Sequence, residues 1–326
     1  MTGAAAGHRH PGYETHARPF VVAAVTALTA AIKHFELVAP DGAVLTGYQP
    51  GSHLVVSAGG KRNAYSLLGD GVNPHSYAIS VLRRGDGGGS AWLHDNLRAG
   101  AAVQVEGPRS TFAPVLNQRH ALLIAGGIGV TPILSHARAR VRGGGSAEVV
   151  YSYRPGRAAH TAELRSLAGR PGVTLHEVSG RAATAELIRR RLADQPLGTH
   201  AYACGPVSLL DDYQRLAREA GWPAARVHLE RFTAPEQEPG APFRATVTRT
   251  GEVLGVPAGV SLLARLLQAG YPVPSMCRRG VCGECRIPVR AAALQHRDYV
   301  LTDEEKDEGH SMICCVSRGE DVEVLL

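Results

Sequence analysis

The stretch Met276–Val289, MCRRGVCGECRIPV, spaces three cysteines as Cys277-x4-Cys282-x2-Cys285, and Cys315 follows after 29 further residues. This is the spacing by which four thiolates hold a plant-type 2Fe–2S cluster. Three ligands on one tight loop can surround one iron and reach the second, while a distant fourth closes the cage. Gly280 and Gly283 add little bulk, so backbone N–H groups can approach the sulfurs and tune the potential. Zinc and disulfides are the competing readings. Structural zinc ordinarily takes paired CxxC or Cys/His knuckles, and the pairing here is lopsided. Disulfide frameworks suit small secreted domains, whereas this chain is long enough for three large cores. Cys314 adjoins Cys315; the string CVSR at Cys315–Arg318 favours Cys315 as the ligand and leaves Cys314 a buried neighbour.

Around this loop the pattern is that of a small separate domain over 241–326. Phe243–Arg249 and Val253–Val256 read as strands, Ser261–Ala269 as a helix capped by Gly270, and Asp321–Leu325 as a closing strand. The preceding TAPEQEPG, Thr233–Gly240, has two prolines and no periodicity and reads as a linker. Upstream, from His120 to Phe232, apolar runs at Ala121–Ala125, Glu148–Tyr153, Val173–Val178, His200–Cys204 and Val227–Phe232 alternate with helical segments Pro132–Val141, Thr184–Leu192 and Val207–Ala220. Strand and helix in repetition predict a parallel sheet covered on both faces, over 118–232. Further upstream, 20–117 is a run of short strands punctuated by Gly, Pro, Asn and Asp, as in an antiparallel barrel. Its strands include His53–Val56, Asn63–Leu67, Tyr77–Val81 and Ala102–Glu106, with one short helix at Ala91–Leu97. Residues 1–19 read as a flexible tail, its His8-Arg9-His10 a disordered tract rather than a metal site.

Of the 326 residues 44% are apolar and 20% charged, ordinary for a water-soluble protein, and the formal charge is +6. The positive charge is scattered arginine with no block, which argues against nucleic acid. Acidic residues gather instead at Asp303-Glu304-Glu305, Asp307-Glu308 and Glu320–Glu323, either a steering surface for docking or a solvated face. The longest uncharged apolar run, Phe20–Ile32, is too short for a bilayer, which takes about 20 residues, and reads as a buried first strand. With no targeting signal, and with thiolates that must stay reduced, the expected location is the cytoplasm, away from any membrane.

MCRRGVCGECRIPV, followed by HRDYVLTDEEK and CCVSRG, resembles the ferredoxin domain of the phthalate dioxygenase reductase family, which includes vanillate demethylase reductases. The likeness spans nearly all of the chain after residue 20, in the order flavin domain, nucleotide domain, ferredoxin domain. The resemblance implies an FMN-binding β-barrel, an NAD(P)-binding α/β domain and a C-terminal β-grasp domain. It implies a reductase that passes electrons from a nicotinamide cofactor to a partner oxygenase, Rieske-type before haem-type. A non-enzymatic redox sensor is the reading from another class. A monomer suffices for the chemistry.

The nucleotide half rests on two turns. Leu122–Ala125 runs into Gly126-Gly127-Ile128-Gly129-Val130-Thr131-Pro132, a strand, a glycine turn and a helix start. Glycines let backbone approach a pyrophosphate, and a helix N-terminus offers free N–H groups. Thr131 reads as the N-cap and Pro132 as the first helical residue. Alone, such a turn is often only a turn, and Pro132 occupies the third glycine's place of a Rossmann fingerprint. Cys204-Gly205-Pro206 gives a second turn on the same sheet edge. Both resemble the NAD(P) half of ferredoxin-reductase-like flavoenzymes, which implies nucleotide contacts at Gly127, Gly129, Thr131, Gly205 and Pro206, with Cys204 beside the nicotinamide. A small buried hydrophobe is the other reading of Cys204. In that family the strand end Tyr151–Arg154 meets the adenosine ribose. Arg154 and Arg157 could hold a 2′-phosphate, favouring NADPH; members of this architecture mostly use NADH, and NADH is the expectation.

A hydride donor delivers two electrons together and a cluster takes one, so a flavin must stand between them. Asn63-Ala64-Tyr65-Ser66-Leu67 resembles the family's R-x-Y-S-L strand, implying that Tyr65 packs on the flavin and Ser66 lies near its reactive nitrogen. The arginine is replaced by Asn63, with Arg62 on the opposite face of a regular strand. Asn63 could substitute by hydrogen bonding, or Arg83 and Arg84 could supply the charge. Gly87-Gly88-Gly89-Ser90 before Ala91-Trp92-Leu93-His94 resembles the FMN-phosphate segment, with Gly88, Gly89 and Ser90 as contacts; a flexible hairpin tip is the other reading. Gly107-Pro108-Arg109-Ser110-Thr111-Phe112 matches the family's G-P-R-x-x-F turn. Phe232 is expected to cover the flavin, or else to be an ordinary core aromatic. FMN is expected over FAD from the domain order and because no extra loop for an adenine is evident.

Overall fold

The computed structural model describes residues 17–326; most of the expected tail, including His8-Arg9-His10, lies outside the described residues. The chain divides into two compact units, one ending at Glu230 and the other spanning Arg231–Leu326.

The first unit begins with β1 (Arg18–Thr29), β2 (Ile32–Val38), β3 (Ser52–Ala58), β4 (Lys61–Ser66), β5 (Tyr77–Leu82), α1 (Gly89–Asn96) and β6 (Ala102–Ser110). The strands form one antiparallel sheet in the order β4-β3-β6-β1-β2-β5. A bridge between Leu67 and Ile79 joins its two edges and closes it into a barrel. Alternation drives the closure: Phe35 and Leu37 of β2, Leu54 and Val56 of β3, and Ile79 and Val81 of β5 all point into one core, which Leu93 and Leu97 of the α1 region cap. Phe20–Ile32 is not one buried strand. β1 ends at Thr29, the chain turns at Ala30-Ala31, and Ile32 opens β2. Beyond Phe20 and Val22 none of β1 is fully buried, because its small alanines lie on a strand whose outer face meets solvent.

Next come β7 (His120–Gly126), a 3₁₀ turn (Gly127–Gly129), α2 (Val130–Arg142), β8 (Ser146–Ser152), α3 (Thr161–Ala168), β9 (Val173–Val178), α4 (Arg181–Ala193), β10 (Thr199–Cys204), α5 (Val207–Glu219) and β11 (Val227–Glu230). The sheet runs β11-β10-β7-β8-β9 and every pairing is parallel. Leu122, Ile124, Ala201 and Ala203 pack beneath Ile188 and Leu192 of α4 and Leu209, Leu210 and Tyr213 of α5. On the other face α2 lies against β7 and β8. Strand order reverses between β7 and β10, and the crevice outside their carboxyl ends is where open α/β sheets bind ligands. The barrel is fastened to this sheet by Phe112, whose carbonyl accepts from His136 Nε2 at 2.8 Å while its ring meets Tyr202 edge-on. Ser80 makes a second fastening, 2.9 Å from His160 Nε2 and 3.1 Å from His34 Nδ1.

The second unit holds β12 (Phe243–Val247), β13 (Glu252–Val256), α6 (Leu262–Gln268), β14 (Arg286–Arg290), β15 (Ala293–Gln295), α7 (Asp303–Glu308), β16 (Ser311–Ile313), β17 (Arg318–Glu320) and β18 (Val322–Val324). Its main sheet, β13-β12-β18-β14-β16, grips α6 through Leu262, Leu263 and Leu266, the β-grasp arrangement. Ser261 caps α6 by accepting from Ala264 N, and Gly270 follows the helix at φ +85°. Thr302 and Glu305 form a capping box on α7, giving the acidic run Asp303–Glu308 a helical form. Thr233–Gly240 has no regular structure, but it is held down: Gln237 donates to Arg297 O, and Arg297 to Glu238 O. No helix among the described residues is long and apolar enough to cross a membrane.

Candidate functional site

At the strand-order reversal the two expected turns pack backbone to backbone. A Cβ on Gly129 would fall onto the carbonyl of Cys204 and within 2.8 Å of Gly205 N. A Cβ on Gly126 would strike Pro206 and Leu209. Gly127 has φ +54° and nothing within 4 Å of its would-be Cβ, so its backbone stands open to the crevice. The helix starts two residues earlier than expected. Val130 opens α2 after the 3₁₀ turn, so Thr131 is no cap; its buried hydroxyl donates to Ile128 O at 3.0 Å. The open N–H groups of this turn are uncapped by any side chain, which suits an anion there.

Register sets Cys204 of β10 directly beside Glu230 of β11. Cys204 is fully buried, whereas Glu230 is half-buried with its Oε2 shut off from solvent; burial, with Glu230 alongside, pushes the Cys204 thiol well above its ordinary range. Burial alone pushes the Glu230 carboxyl up to about 8, and its Oε2 has no hydrogen-bond partner. Ser66, at the end of β4, also carries a buried hydroxyl with no partner. Opposite it on β3 stands His53, held neutral by burial and by Arg109, its pKa down to about 4. Orphaned buried polar atoms on both barrel and sheet are what a ring system with its own donors and acceptors would satisfy. Glu230 and His53 carry no sequence pattern, and sequence reasoning passed over both.

Along β4, Lys61, Asn63 and Tyr65 share one face. Burial raises the Tyr65 phenol above its usual pKa. Asn63 abuts Gly89, where a Cβ would collide with its amide, and Lys61 Nζ donates to Gly87 O. Ser90 Oγ accepts from Arg84 N at 3.1 Å, and α1 begins with no side-chain cap. Asn63 and Lys61 thus lie against the Gly87–Ser90 turn, while Tyr65 is placed only on the same face of β4. Arg83 is not gathered with them. Its guanidinium is held by Asp95 and Asp86, which raise its pKa, while Arg84 is the arginine electrostatically coupled to Tyr65 and Cys204. Arg62 does point the other way, bonding Glu106 through Nε at 3.1 Å and Nη2 at 2.8 Å. Phe232 lies past β11 in the second unit and is half-buried. Arg154 is exposed, just beyond the end of β8.

In the second unit the cysteines fall into two groups. Cys277 and Cys282 are hydrogen-bonding neighbours, and Cys285 neighbours Cys314 and Cys315. Cys282, aided by the N–H groups of Arg279 (3.3 Å), Val281 and Cys282, draws the Cys277 pKa down to about 6. Cys314 and Cys315 draw Cys285 down to about 3. Gly280 N–H is directed at Cys315, whereas the Cys314 thiol donates to Cys285 O at 3.2 Å. Gly280 has φ +72°, and a Cβ there would lie 2.7 Å from Val316 Cγ2 and 3.2 Å from Asp298 Cα. No group of three or more His, Cys, Asp or Glu among the described residues would hold a single metal ion. Thiols gathered under converging N–H groups, Cys277 beside Cys282 and Cys285 beside Cys314 and Cys315, would suit the thiolate set of an iron–sulfur cluster better than the CxxC or Cys/His knuckles of structural zinc. The outer pair, Cys277 and Cys282, is partly exposed; Cys285 and Cys315 are buried. Arg278 and Arg279 are exposed on this loop, and the Asp303 side chain of α7 is 98% exposed.

Residues 104–227 match the family described as "Dimethylamine monooxygenase subunit DmmA-like, N-terminal domain", and residues 245–318 match the "2Fe-2S iron-sulfur cluster binding domain". The chain is 40% identical over 304 residues to the heme-dependent oxidative N-demethylase beta subunit of Ectopseudomonas mendocina, covering 91% of this chain and 94% of that one. It is 36% identical to the phthalate dioxygenase reductase of Burkholderia cepacia over 298 residues, 90% of this chain and 91% of the relative. A solved structure described as phthalate dioxygenase reductase, "a modular structure for electron transfer from pyridine nucleotides to [2Fe-2S]", superposes with a TM-score of 0.73 at 34% identity, covering 95% and 98% of the two chains.

Proposed function

The chain belongs to the phthalate dioxygenase reductase-like family of flavin- and iron–sulfur-containing oxygenase reductases, and from that premise we propose that it carries electrons from NADH through FMN and a 2Fe–2S cluster to a Rieske-type terminal oxygenase. The observation that carries the reading is the pairing of four thiols under converging backbone N–H groups, Cys277 with Cys282 and Cys285 with Cys315. FMN, when bound, accepts a hydride and releases electrons singly.

This chain's residues supply position and environment. Lys61, Asn63 and the uncapped start of α1 hold a phosphate monoester. Tyr65 and Ser66 would hold the flavin ring, Ser66 through a buried hydroxyl that has no partner within the chain. The open backbone at Gly127 would receive the dinucleotide's pyrophosphate, and Cys204 would line the nicotinamide's place. Glu230 keeps its proton at neutral pH, so it can donate through Oε2 while adding no negative charge to the pocket. None of these groups needs to act as a nucleophile; orientation and water exclusion are the chemistry they contribute. Acidic α7 with Arg278 and Arg279 forms the surface that presents the cluster to the oxygenase.

A second reading of the partner has its own support. The 40% identity to a heme-dependent N-demethylase subunit favours a haem-containing oxygenase. The visible spectrum of the purified protein before and after anaerobic NADH, with released flavin identified by chromatography, tests the first part. Overlapping flavin and iron–sulfur bands that bleach, with FMN in the supernatant, are expected; a protein colourless even after cofactor reconstitution refutes it. Electron delivery to a Rieske protein and to a haem protein, compared by stopped flow, separates the two partners.

A further inference from the structure

Between β15 and α7 an irregular strap, His296–Leu301, lies against the cysteine loop, and the second unit holds it from several sides. Arg297 N donates to Ser317 Oγ at 3.2 Å, Gln237 donates to Arg297 O at 2.7 Å, and the Arg231 guanidinium lies 4.6 Å over the Tyr299 ring. Toward the loop, Tyr299 N donates to Gly280 O at 2.9 Å. A Cβ on Gly280 would lie 3.2 Å from Asp298 Cα, and one on Gly283 would lie 3.1 Å from Val300 Cγ1. The strap thus meets the loop at both of its glycines. Gly280 is held at both ends, its carbonyl by Tyr299 and its N–H aimed at Cys315.

One side chain shapes the strap. Asp298 Oδ1 accepts from Val300 N at 3.0 Å and from Leu301 N at 2.8 Å, folding 298–301 into a turn that leaves the Tyr299 N–H for Gly280. The Asp298 side chain is wholly shut off from solvent, and its Oδ2 has no hydrogen-bond partner among the described residues. His296 Nδ1 stands 3.8 Å from that oxygen, beyond hydrogen-bond length, and neither nitrogen of its ring has a partner there either. Burying a carboxyl with one oxygen idle disfavours the fold, and an apolar residue of the same shape would fill this space without that cost. An apolar residue could not accept from Val300 and Leu301, so what this position gains from its carboxyl is the work of Oδ1.

Reduction adds one negative charge to a 2Fe–2S cluster, and an N–H aimed at a ligand sulfur stabilises that charge and raises the potential. We propose that Asp298 is a positioning residue for the cluster: through the turn it braces, it holds the Gly280 N–H on Cys315 and keeps the cluster easier to reduce. This rests on the reading of Cys277, Cys282, Cys285 and Cys315 as the ligands of a 2Fe–2S cluster. Removing a nearby negative charge would itself raise the potential, so the test compares two neutral replacements. It is an EPR-monitored redox titration of the holoprotein carrying Asp298→Asn or Asp298→Ala, of which only D298N keeps an acceptor in the place of Oδ1. At a given potential the ratio of reduced to oxidised cluster in D298A is expected to be about tenfold below that in D298N, a midpoint lower by about 59 mV for a one-electron couple. Should D298A fail to fold or to hold a cluster, Asp298→Leu, which matches asparagine in shape without an acceptor, takes its place with the same expectation. Equal midpoints with and without the acceptor, or a higher midpoint without it, overturn the proposal. A wild-type chain that shows no cluster signal after reconstitution overturns the proposed function instead.

Discussion

Replacing Glu230 by glutamine changes one atom type at a carboxyl whose Oε2 is shut off from solvent without a partner, and its effect on stability follows from that desolvation. Below the ordinary carboxyl pKa of 4.5 the group is protonated in folded and unfolded chains alike and costs nothing. As pH rises the unfolded chain ionises while the folded carboxyl, pushed up to about 8, keeps its proton. Stability is therefore lost progressively from about pH 4.5 and levels off once the folded group ionises. The gap between the two values sets a limit of about 5 kcal/mol, of which about 3 kcal/mol is already lost at pH 7. Glutamine keeps the volume and cannot ionise, so Glu230→Gln escapes the loss. The melting temperature of the variant, followed by calorimetry, is expected to match wild type near pH 4.5 to 5 and to exceed it by about 6–12 °C at pH 7, with no further gain above pH 8. A difference that does not change with pH, or one that favours wild type at pH 8.5, refutes the argument that a buried neutral carboxyl sits beside Cys204.

Cys315→Ser is expected to abolish the visible and EPR signatures of the cluster, while Cys314→Ser, at a buried thiol that donates to Cys285 O, retains both. Gly129→Ala drives a methyl into the Cys204–Gly205 backbone and is expected to destabilise the first unit by about 1–3 kcal/mol and to raise KM for NADH, read by denaturant titration and steady-state kinetics. Arg318 is nearly buried, donates to Ala241 O, Pro257 O and Val260 O, and rides 4.9 Å over Phe243. Arg318→Met strands those carbonyls and is expected to cost the second unit about 3–5 kcal/mol, seen as a lower melting transition of the iron–sulfur absorbance.

The cysteine loop was legible because ligand spacing is fixed by a small rigid object, and so few other spacings would serve. The parallel sheet was legible because its buried strands are short apolar runs separated by helical periods. The hairpin at Thr29–Ile32 was not: Thr29-Ala30-Ala31-Ile32 has no Gly, Pro, Asn or Asp to mark a turn, and Thr29 Oγ1 braces it by accepting from Ala31 N. Helix α7 was announced by Thr302 and Glu305 in a capping-box spacing, but its charge drew attention away from its caps. In the site, motif residues such as Ser66 and Cys204 could be named in advance. Glu230, His53, Lys61 and the pairing of Arg83 with Asp95 depend on register between strands far apart in sequence, which no local pattern reports.

The back-to-back packing of the two crevice turns has a consequence for how this sequence can drift. Gly126, Gly129 and Gly205 touch one another's strands rather than solvent: Gly205 would place a Cβ 3.0 Å from Gly126 Cα, as Gly129 would onto Cys204. Neither turn can accept a side chain at these positions unless the other retreats, and retreat would part β7 from β10 at the reversal. Across descendants of this chain, positions 126 and 129 should therefore covary with 204 and 205. Their glycines would be inherited or lost as a set, whichever nucleotide the crevice comes to prefer.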